Sequence, residues 1–537
     1  MTASAFAAAV TRWPLLARMD VRRERIITPV TVVLFVAIGL STGATIAAME
    51  GDPAQAISLR VAAGTNAAFK FLLGNVPQSE SLAALTSWRA GLFMIAALGV
   101  CAAMTVVRLT RKEEEAGRTE LVLAGAVGSV APVVAAVSVA IGFVLVTSAA
   151  MAATLLIAPG GDFVSLLAVF AQYASTGVAA VGLALVAAEV FPNSSIANRA
   201  ASGVVMAGYV LRGVADTVDG LGWLRWTSPI GWAEEIAPFD KNNFWPALAS
   251  VGMLAVGLAV AAAVRRRRDL GGGLVADRAG RATAPGLRST FALAWRLDCS
   301  TIASWAIGIA SYGVIVGIVT NQVEALAGTN QTVTDFLKSA GTNGTLTQIF
   351  LSTMTAFLVV ASVGAGVSLL TRWRSEETSG RMEMLLANPV SRSRYFAAQT
   401  TMIGVAVLVA LIAAPAAIVL GAGLSGVGWA TSAQTAFGVA AASIPAVAAT
   451  MMLAVACFAY RGRLAVVGWP LLLASWLLGP FGTMLGLPQW VRDISPFTHV
   501  PMIPLQPVTV LPLLVPAVVA AVFGMLAWRW WNRRDLG

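Results

Sequence analysis

The chain contains twelve apolar runs. Each is close in length to the roughly 20 residues that a helix needs to cross a bilayer. Hydrophobic residues make up 58% of its 537 residues and charged residues only 12%, against about 25% charged in soluble domains. A soluble globule cannot hide that much apolar surface, which excludes disordered proteins, nucleic-acid binders and ordinary cytosolic enzymes. We therefore predict an all-α polytopic membrane protein with about twelve transmembrane helices. The runs lie near residues 26–49, 90–107, 130–157, 163–190, 200–217, 245–264, 300–318, 348–370, 395–420, 431–459, 464–484 and 508–527.

The basic residues indicate how these spans are oriented. Most of the 36 Lys and Arg residues fall at the two termini, between the halves and in alternate loops, which by the positive-inside rule places both termini in the cytosol. The net charge of +10 is then a topology signal and not a nucleic-acid footprint. Residues 1–25 carry too many arginines for a cleavable signal peptide and predict an amphipathic surface helix, and residues 290–298 predict a second one.

Four short segments of the first half recur, in the same order, in the second half. The pairs are residues 18–20 with 296–298, 113–120 with 376–383, 223–229 with 490–496, and 267–271 with 533–537. Chance does not produce four ordered matches, so the chain is predicted to be two homologous six-span repeats in parallel orientation: 1–268, a cytosolic linker 269–288, and 289–537. Transporters built this way place their pathway at the repeat interface.

The most informative repeated segment is Glu-Glu-x-x-Gly-Arg-x-Glu, between the second and third spans of each half. Acids and bases three or four positions apart favour a short charged helix, and the following leucines add an apolar edge. Such a helix can transmit motion from a soluble partner; the alternative is a solvated loop rich in helix formers, which the second copy disfavours. Its residues are Glu113, Glu114, Gly117, Arg118 and Glu120, and Glu376, Glu377, Gly380, Arg381 and Glu383.

A second repeated segment, Trp-x-Arg-x-x-Ser-Pro, precedes each sixth span. Trp and Arg prefer the lipid–water interface, and Ser-Pro interrupts a helix. The segment is therefore either a simple interfacial anchor or a broken, re-entrant helix that forms an outer gate. Its residues are Trp223, Arg225, Ser228 and Pro229, and Trp490, Arg492, Ser495 and Pro496.

Charged residues inside or beside spans are costly in lipid. Arg212 and Asp216 are i, i+4 neighbours and are predicted either to neutralise each other near the outer interface or to contact a charged substrate head group. Glu189 is expected to cap or to snorkel, and Glu234 and Glu235 are expected to face water.

Residues suited to catalysis or metal binding are scarce. Cys101, Cys299 and Cys457 are far apart, and His499, the single histidine, is expected to face solvent. No disulfide framework, metal site or histidine-based catalysis is predicted. The sequence also contains no Gly-Lys dipeptide, so it lacks a phosphate-cradling loop of the G-x-x-x-x-G-K-[ST] kind. We expect a protein that is not itself an enzyme.

Taken with the six-span plan, the surface helices and the long first outer loop, the pattern E-x-x-x-G-R-x-E-x-L-L-A resembles type 2 ABC exporter permeases. The closest resemblance is to the fused, two-repeat form of actinobacterial tetronasin-type antibiotic and multidrug exporters. Residues 372–392 fit the pattern well, whereas the first copy departs from it after Leu123, where residues 125–128 replace the Asn-Pro-Val-Ser type of ending.

That resemblance implies that the charged segments are coupling helices and that Arg18, Asp20, Arg296 and Asp298 belong to connecting helices. It implies two copies of a separate ABC ATPase as partners, which hold ATP and Mg²⁺, and no cofactor in this chain. The cargo would be a drug, an antibiotic or another small amphiphilic or lipid-like compound, exported across a bacterial plasma membrane.

Three other function classes compete with an ATP-driven exporter. A proton-coupled secondary multidrug transporter also has twelve spans in two parallel repeats, but it needs titratable residues at mid-membrane depth, and few carboxylates lie there. A non-transporting scaffold or sensor needs a long soluble domain. An intramembrane enzyme needs paired carboxylates or a His/Cys cluster within a span.

Overall fold

The computed structural model describes residues 9–51, 56, 57, 59–61, 64, 67–265, 272–275, 286–323, 345–479, 488–507 and 509–535. Most of the predicted linker, 269–288, lies outside the described residues. The chain divides into two compact units, Met1–Gly280 (unit 1) and Arg281–Gly537 (unit 2), and each is described by itself.

Every regular element among the described residues is helical. Unit 1 contains α1 (Trp13–Arg23), α2 (Ile27–Ala47), α3 (Ala67–Leu73), α4 (Leu82–Leu109), α5 (Arg111–Glu115), α6 (Arg118–Leu123), α7 (Ala131–Thr154), α8 (Phe163–Val190), α9 (Ser194–Thr217), α10 (Pro229–Glu235) and α11 (Ala247–Arg265). Unit 2 contains α12 (Thr290–Val319), α13 (Leu346–Thr378), α14 (Arg381–Leu386), α15 (Arg392–Leu424), α16 (Trp429–Ala442), α17 (Ile444–Tyr460), α18 (Gly468–Leu478), α19 (Gln489–Arg492) and α20 (Val510–Arg533).

Ten helices in the described part of the chain are long and apolar enough to cross a membrane, and each overlaps a predicted run. The prediction of an all-α, multi-pass membrane protein is confirmed. The two remaining runs are the fifth of each repeat, and both differ from expectation. Helix α9 is long enough but carries Arg199, Arg212 and Asp216, so it is less apolar. The second is a shorter helix, Gly462–Leu478, because its regular structure ends before Gly479.

The same spans form the core of each unit. In unit 1 the apolar stretches of α4 and α8 are each 72% buried, against 22% for α2 and 17% for α11. In unit 2 the stretch of α13 is 72% buried and that of α16 with α17 is 67%, against 28% for α12 and 11% for α20. The second and fourth spans are therefore central, and the first and sixth present apolar side chains to lipid.

Close helix contacts depend on glycine. A Cβ atom added at Gly182 of α8 would lie 2.5 Å from the carbonyl oxygen of Met253, and one added at Gly257 of α11 would lie 2.5 Å from the carbonyl oxygen of Gly182. Gly317 and Gly421 allow the same close approach of α12 and α15. Small residues let backbones pack closely in a membrane, where no water is released to drive association.

The predicted surface helices form differently in the two units. In unit 1, α1 is a separate helix that ends at Arg23, and a turn at residues 24–26 precedes α2. In unit 2 the expected surface stretch 290–298 is continuous with the span, as one 30-residue helix, α12. The two surface stretches thus differ in structure although both carry the Arg-x-Asp pair.

Candidate functional site

The Glu-Glu-x-x-Gly-Arg-x-Glu segment forms a sharp corner in each unit. In unit 1 the pair of glutamates ends α5, and Gly117 turns the chain with φ +70° before α6 begins. In unit 2 the glutamates end α13, and Gly380 turns the chain with φ +71° before α14 begins. The expectation of one continuous charged helix is wrong, because glycine adopts this left-handed conformation and ends the first helix. We call residues 111–123 the unit 1 corner and residues 374–386 the unit 2 corner.

An arginine–glutamate ion pair recurs on the first arm of both corners. Arg111 donates to Glu114 with Nη1 and Oε2 2.6 Å apart, and Arg374 pairs with Glu377 with Nη1 and Oε2 3.2 Å apart. The side chain of Glu114 is only 2% exposed. Arg111 also donates to the carbonyl oxygen of Pro192. The second glutamate of each segment therefore holds the corner from inside.

The second arm of each corner presents side chains outward. In α6, Arg118 and Glu120 are exposed, and Leu121 is 77% exposed. The matching residues of α14 are also outside: Arg381 and Glu383 are exposed, and Met384 is 65% exposed. One residue of each arm, Thr119 or Met382, anchors it to the unit. Both arms thus display an arginine, a glutamate and an uncovered apolar side chain.

In unit 1, ion pairs connect the surface helix α1 and the turn after it to the corner. Glu24 accepts two hydrogen bonds of 2.7 Å from Arg108. Glu113 lies between two arginines, with oxygens 2.8 Å from Arg23 Nη1 and 2.5 Å from Arg118 Nη2. Desolvation by burial raises the pKa of Asp20, on the inner face of α1, to about 6. Glu113 thus bridges α1 and α6.

In unit 2, Arg372 connects the first helix, α12, to the segment that leads into the corner. Arg372 donates to Asp298 of α12 with Nη1 and Oδ1 2.8 Å apart, and its Nη2 is 3.7 Å from Glu376 Oε1. The hydroxyl of Tyr395 donates to Glu376 Oε2 at 3.2 Å. Asp20 and Asp298 are both buried, whereas Arg18 and Arg296 are both exposed. In both repeated Arg-x-Asp segments the aspartate therefore faces the interior and the arginine faces outward.

An aromatic cluster supports the unit 2 corner. The Trp373 ring is 4.8 Å from that of Phe458 and 5.0 Å from that of Trp531, measured between centroids. Phe396 packs against both tryptophans. Arg534, whose guanidinium lies 5.3 Å over the Trp531 ring, donates to Glu377 Oε1 at 2.7 Å. Sequence reasoning did not single out these residues.

The Ser-Pro segments lie at the end of each unit that is remote from its corner. In each segment the serine caps a short helix and also forms a hydrogen bond to the fifth helix. Ser228 Oγ accepts from Gly231 N at 3.1 Å and donates to the carbonyl oxygen of Gly208 at 3.2 Å. Ser495 Oγ accepts from Phe497 N and donates to the carbonyl oxygen of Ser475, both at 3.4 Å. The two serines thus each bind the carbonyl 20 positions earlier.

The neighbours of these serines follow the same pattern. Trp223 is 61% exposed and Trp490 is 71% exposed. Pro229 begins α10, and Pro496 begins a short 3₁₀-helix. The arginines differ: Arg225 forms ion pairs with Asp216 and Glu235, whereas Arg492 donates to the side chain of Gln489 at 3.2 Å.

The charges near the fifth span of unit 1 form a buried network. Arg212 Nη1 is 3.1 Å from Asp216 Oδ2, and neither side chain is exposed. Arg225 Nε is 2.6 Å from Asp216 Oδ1. Arg212 also donates to the carbonyl oxygens of Lys70 and Leu72. Asp216 is therefore shared by two arginines, and the simple two-residue pair predicted from the spacing is incomplete.

Other expectations about single residues have mixed outcomes. Glu189, expected to cap or to snorkel, forms an ion pair with Arg265 at 2.7 Å, a partner that the sequence did not indicate. Glu234, expected to face water, is wrongly assigned: its side chain is 14% exposed, and desolvation by burial raises its pKa to about 8. His499 is exposed, as predicted.

No group of three or more His, Cys, Asp or Glu residues able to hold a metal ion occurs in the described part of the chain. Each of the three cysteines is free.

A family model described as "Multidrug efflux system permease Rv1217c, C-terminal domain" matches residues 287–531, nearly all of unit 2. The whole chain is similar to the multidrug efflux system permease protein Rv1217c of Mycobacterium tuberculosis (strain ATCC 25618 / H37Rv). The two are 32% identical over 529 residues, which cover 97% of this chain and 94% of the relative. The similarity thus extends across both units.

Proposed function

The chain belongs to the family of ABC-type multidrug efflux system permeases, and on that premise we propose that it is driven by separate ATPase subunits through its two corners. Two copies of the ATPase dock, one on each corner, and hold ATP and Mg²⁺. This chain hydrolyses nothing itself and supplies the membrane path for an amphiphilic drug, antibiotic or lipid-like compound.

The observation that carries this proposal is the repeated exposed arm. Helices α6 and α14 each present Arg, Glu and a largely uncovered apolar residue, Leu121 or Met384. An apolar side chain ringed by opposite charges is a small docking surface, because burial of the apolar group supplies affinity and the charges select the partner.

The internal faces of the corners suit the transmission of force. Each exposed arm is joined through a single glycine to the helical extension of the second span, which lies in the core of its unit. The ion pairs of Arg111 with Glu114 and of Arg374 with Glu377 brace the first arm. A displacement of α6 or α14 by an ATPase therefore moves the core spans rather than bending a loop.

The connecting-helix role is proposed for α1 and for the start of α12. Glu113 and Arg372 link these elements to the corners, so both would move together with the docked ATPase. The exposed Arg18 and Arg296 would lie beside lipid phosphates or the ATPase surface.

Orientation follows from the same premise. The corners and both termini lie in the cytosol of a bacterium, and the Ser-Pro segments lie at the outer face of the plasma membrane. There, the bonds from Ser228 to α9 and from Ser495 to the equivalent helix hold a re-entrant turn that serves as an outer gate.

The test uses charge reversal on the exposed arms. Glu120→Arg with Glu383→Arg should abolish co-purification with a co-expressed ABC ATPase that binds the wild-type chain, and should reduce ATP-dependent efflux in proteoliposomes at least tenfold. Glu50→Arg, at an exposed site after the end of α2 that is remote from α1, is the matched control. Undiminished complex formation and efflux in the double variant would refute the coupling assignment.

A proton-coupled transporter remains a second candidate because of one observation, the buried carboxylate of Glu234 and its raised pKa. In proteoliposomes, efflux that an uncoupler abolishes and that proceeds without ATP would favour it. Efflux that requires ATP and survives the uncoupler would exclude it.

A further inference from the structure

Unit 1 contains a cavity of about 560 Å³ at the end remote from its corner. Its volume is in the range of sites for drug-sized ligands. The walls come from the loop before α4, from the start of α4, from α8 and from the segment around α10, and they include Gln172, Trp88 and Phe239. The cavity is thus a mixed aromatic and polar chamber.

The wall and the layer directly behind it carry charges of both signs. The carboxylates are those of Asp216, Glu234, Glu235 and Asp240, and the cations beside them include Arg212, Arg225 and Lys241. Most of these acids have close partners. Asp216 is held by both arginines, Glu235 lies 3.4 Å from Arg225, and Asp240 accepts hydrogen bonds from the backbone of Gln78 and Ser79.

Glu234 is the one of these carboxylates that has ion pairs but no hydrogen bond. It lies 3.9 Å from Nε of Arg212 and from Nε of Arg225, beyond hydrogen-bond distance. Both carboxylate oxygens are buried and accept no hydrogen bond from any described residue. Burial without a hydrogen-bond donor disfavours the charged form of a carboxyl group, and a cation entering the cavity would favour that form.

The aromatic wall favours an organic cation over a metal ion. Trp88 is fixed by its indole nitrogen, which donates to the carbonyl oxygen of Gly74 at 3.0 Å, and Phe239 lies on the same cavity. Aromatic faces attract ammonium-like and other soft cations, whereas a divalent metal ion requires several oxygen ligands in one shell.

Unit 2 has a smaller cavity, of about 330 Å³, beside its Ser-Pro segment. It is lined mainly by apolar residues, including Leu453, Leu471 and Val519, and by one carboxylate, that of Asp493. At the positions equivalent to Glu234 and Glu235, the second repeat has Pro501 and Met502.

We propose that the cavity of unit 1 is a binding site for lipophilic organic cations, with Glu234 as the group that selects positive charge. The inference rests on the proposed efflux function, because it names a class of cargo for the outer part of the path. The carboxylate pairs with the cation, and Trp88 and Phe239 contact its apolar body.

Binding to the full-length chain in phosphatidylcholine nanodiscs, without ATPase or ATP, tests this directly. The probes are radiolabelled tetraphenylphosphonium and tetraphenylborate, which share size and shape but carry opposite charges. Glu234→Gln should weaken tetraphenylphosphonium binding at least tenfold and leave tetraphenylborate binding unchanged. Asp219→Asn, an exposed carboxylate outside the cavity lining, is the matched control and should bind like wild type.

Two further readouts guard against a folding artefact. Glu234→Gln should melt at the same temperature as wild type, because glutamine matches glutamate in size and the carboxylate oxygens of Glu234 accept no hydrogen bond that the change would remove. Glu235→Gln should also weaken tetraphenylphosphonium binding, because it frees Arg225 to neutralise Glu234.

Equal affinity of wild type for both probes would overturn the proposal, as would unchanged tetraphenylphosphonium binding in the two cavity variants or an equal loss in Asp219→Asn. A chain that binds the cation selectively but ignores ATP would contradict the proposed coupling alone. A chain driven by ATP with no charge selectivity would contradict this inference alone.

Discussion

The two corners share a backbone but are supported by different chemistry. The unit 1 corner is held by ion pairs that converge on it from α1, through Arg23, Glu24 and Arg108. The unit 2 corner rests on a cluster of rings centred on Trp373 and Trp531. The position of Trp373 corresponds to Thr110 in the first repeat, so the cluster has no counterpart there.

The difference shows which part of the duplicated segment is constrained. The glycine turn, the inward glutamate and the exposed Arg-x-Glu arm are the same in both units, whereas the packing behind them is not. Under the proposed coupling, each corner has to present the same geometry to a copy of the same partner, and any interior that holds that geometry is sufficient. We therefore expect the corners to respond differently to mutations of their supports and alike to mutations of the turn.

The largest contrast is expected for Trp373→Ala. This side chain is 1% exposed and contacts four aromatic rings, so truncation should cost about 3–5 kcal/mol of stability. Thr110→Ala, the matching change in unit 1, should cost about 1 kcal/mol or less, since it removes one hydrogen bond to the same helix. Thermal denaturation in detergent measures both. Equal losses would mean that the two corners rest on equivalent packing.

An intermediate effect is expected from the unit 1 ion pair between Glu24 and Arg108. The pair is bidentate and its carboxylate is only 4% exposed, so a double-mutant cycle with Glu24→Gln and Arg108→Gln should give a coupling energy of about 1.5–3 kcal/mol. Arg18→Gln, on the exposed face of α1, should leave stability unchanged. A coupling energy near zero would show that this pair does not hold the turn after α1 against α4, the helix that leads into the corner.

The smallest effect, and the one that should be equal in both units, is expected at the glycine turns. Gly117→Ala and Gly380→Ala introduce no clash, so each should cost only the strain of a left-handed alanine, about 1 kcal/mol. Gly203→Ala and Gly404→Ala, helical positions that also open onto free space, should be neutral or stabilising. A loss in one corner variant and not in the other would show that the two turns are not equivalent.

The sequence predicted the corners' location but not their shape. Charges at helical spacing suggested one helix across residues 112–118. The stabilisation from such charge pairs is weak, and the left-handed φ of Gly117 separates α5 from α6 instead. The spacing of Arg111 and Glu114, repeated at Arg374 and Glu377, was a signal that sequence reasoning missed. The pairing of Glu24 with Arg108 joins residues 84 positions apart, and no local pattern reports it.

What the sequence determined by itself was the class of fold, the location of ten spans and the order of four recurring segments. Those features are recorded in runs of apolar residues and in ordered repeats, and the bilayer imposes them locally. The tertiary structure alone decided that Glu114 faces inward while Glu120 faces outward, and that Glu234 is left without a hydrogen-bond donor beside a cavity. Such outcomes depend on which helices approach each other, because burial and ion pairing are set by neighbours in space and not by neighbours in the chain.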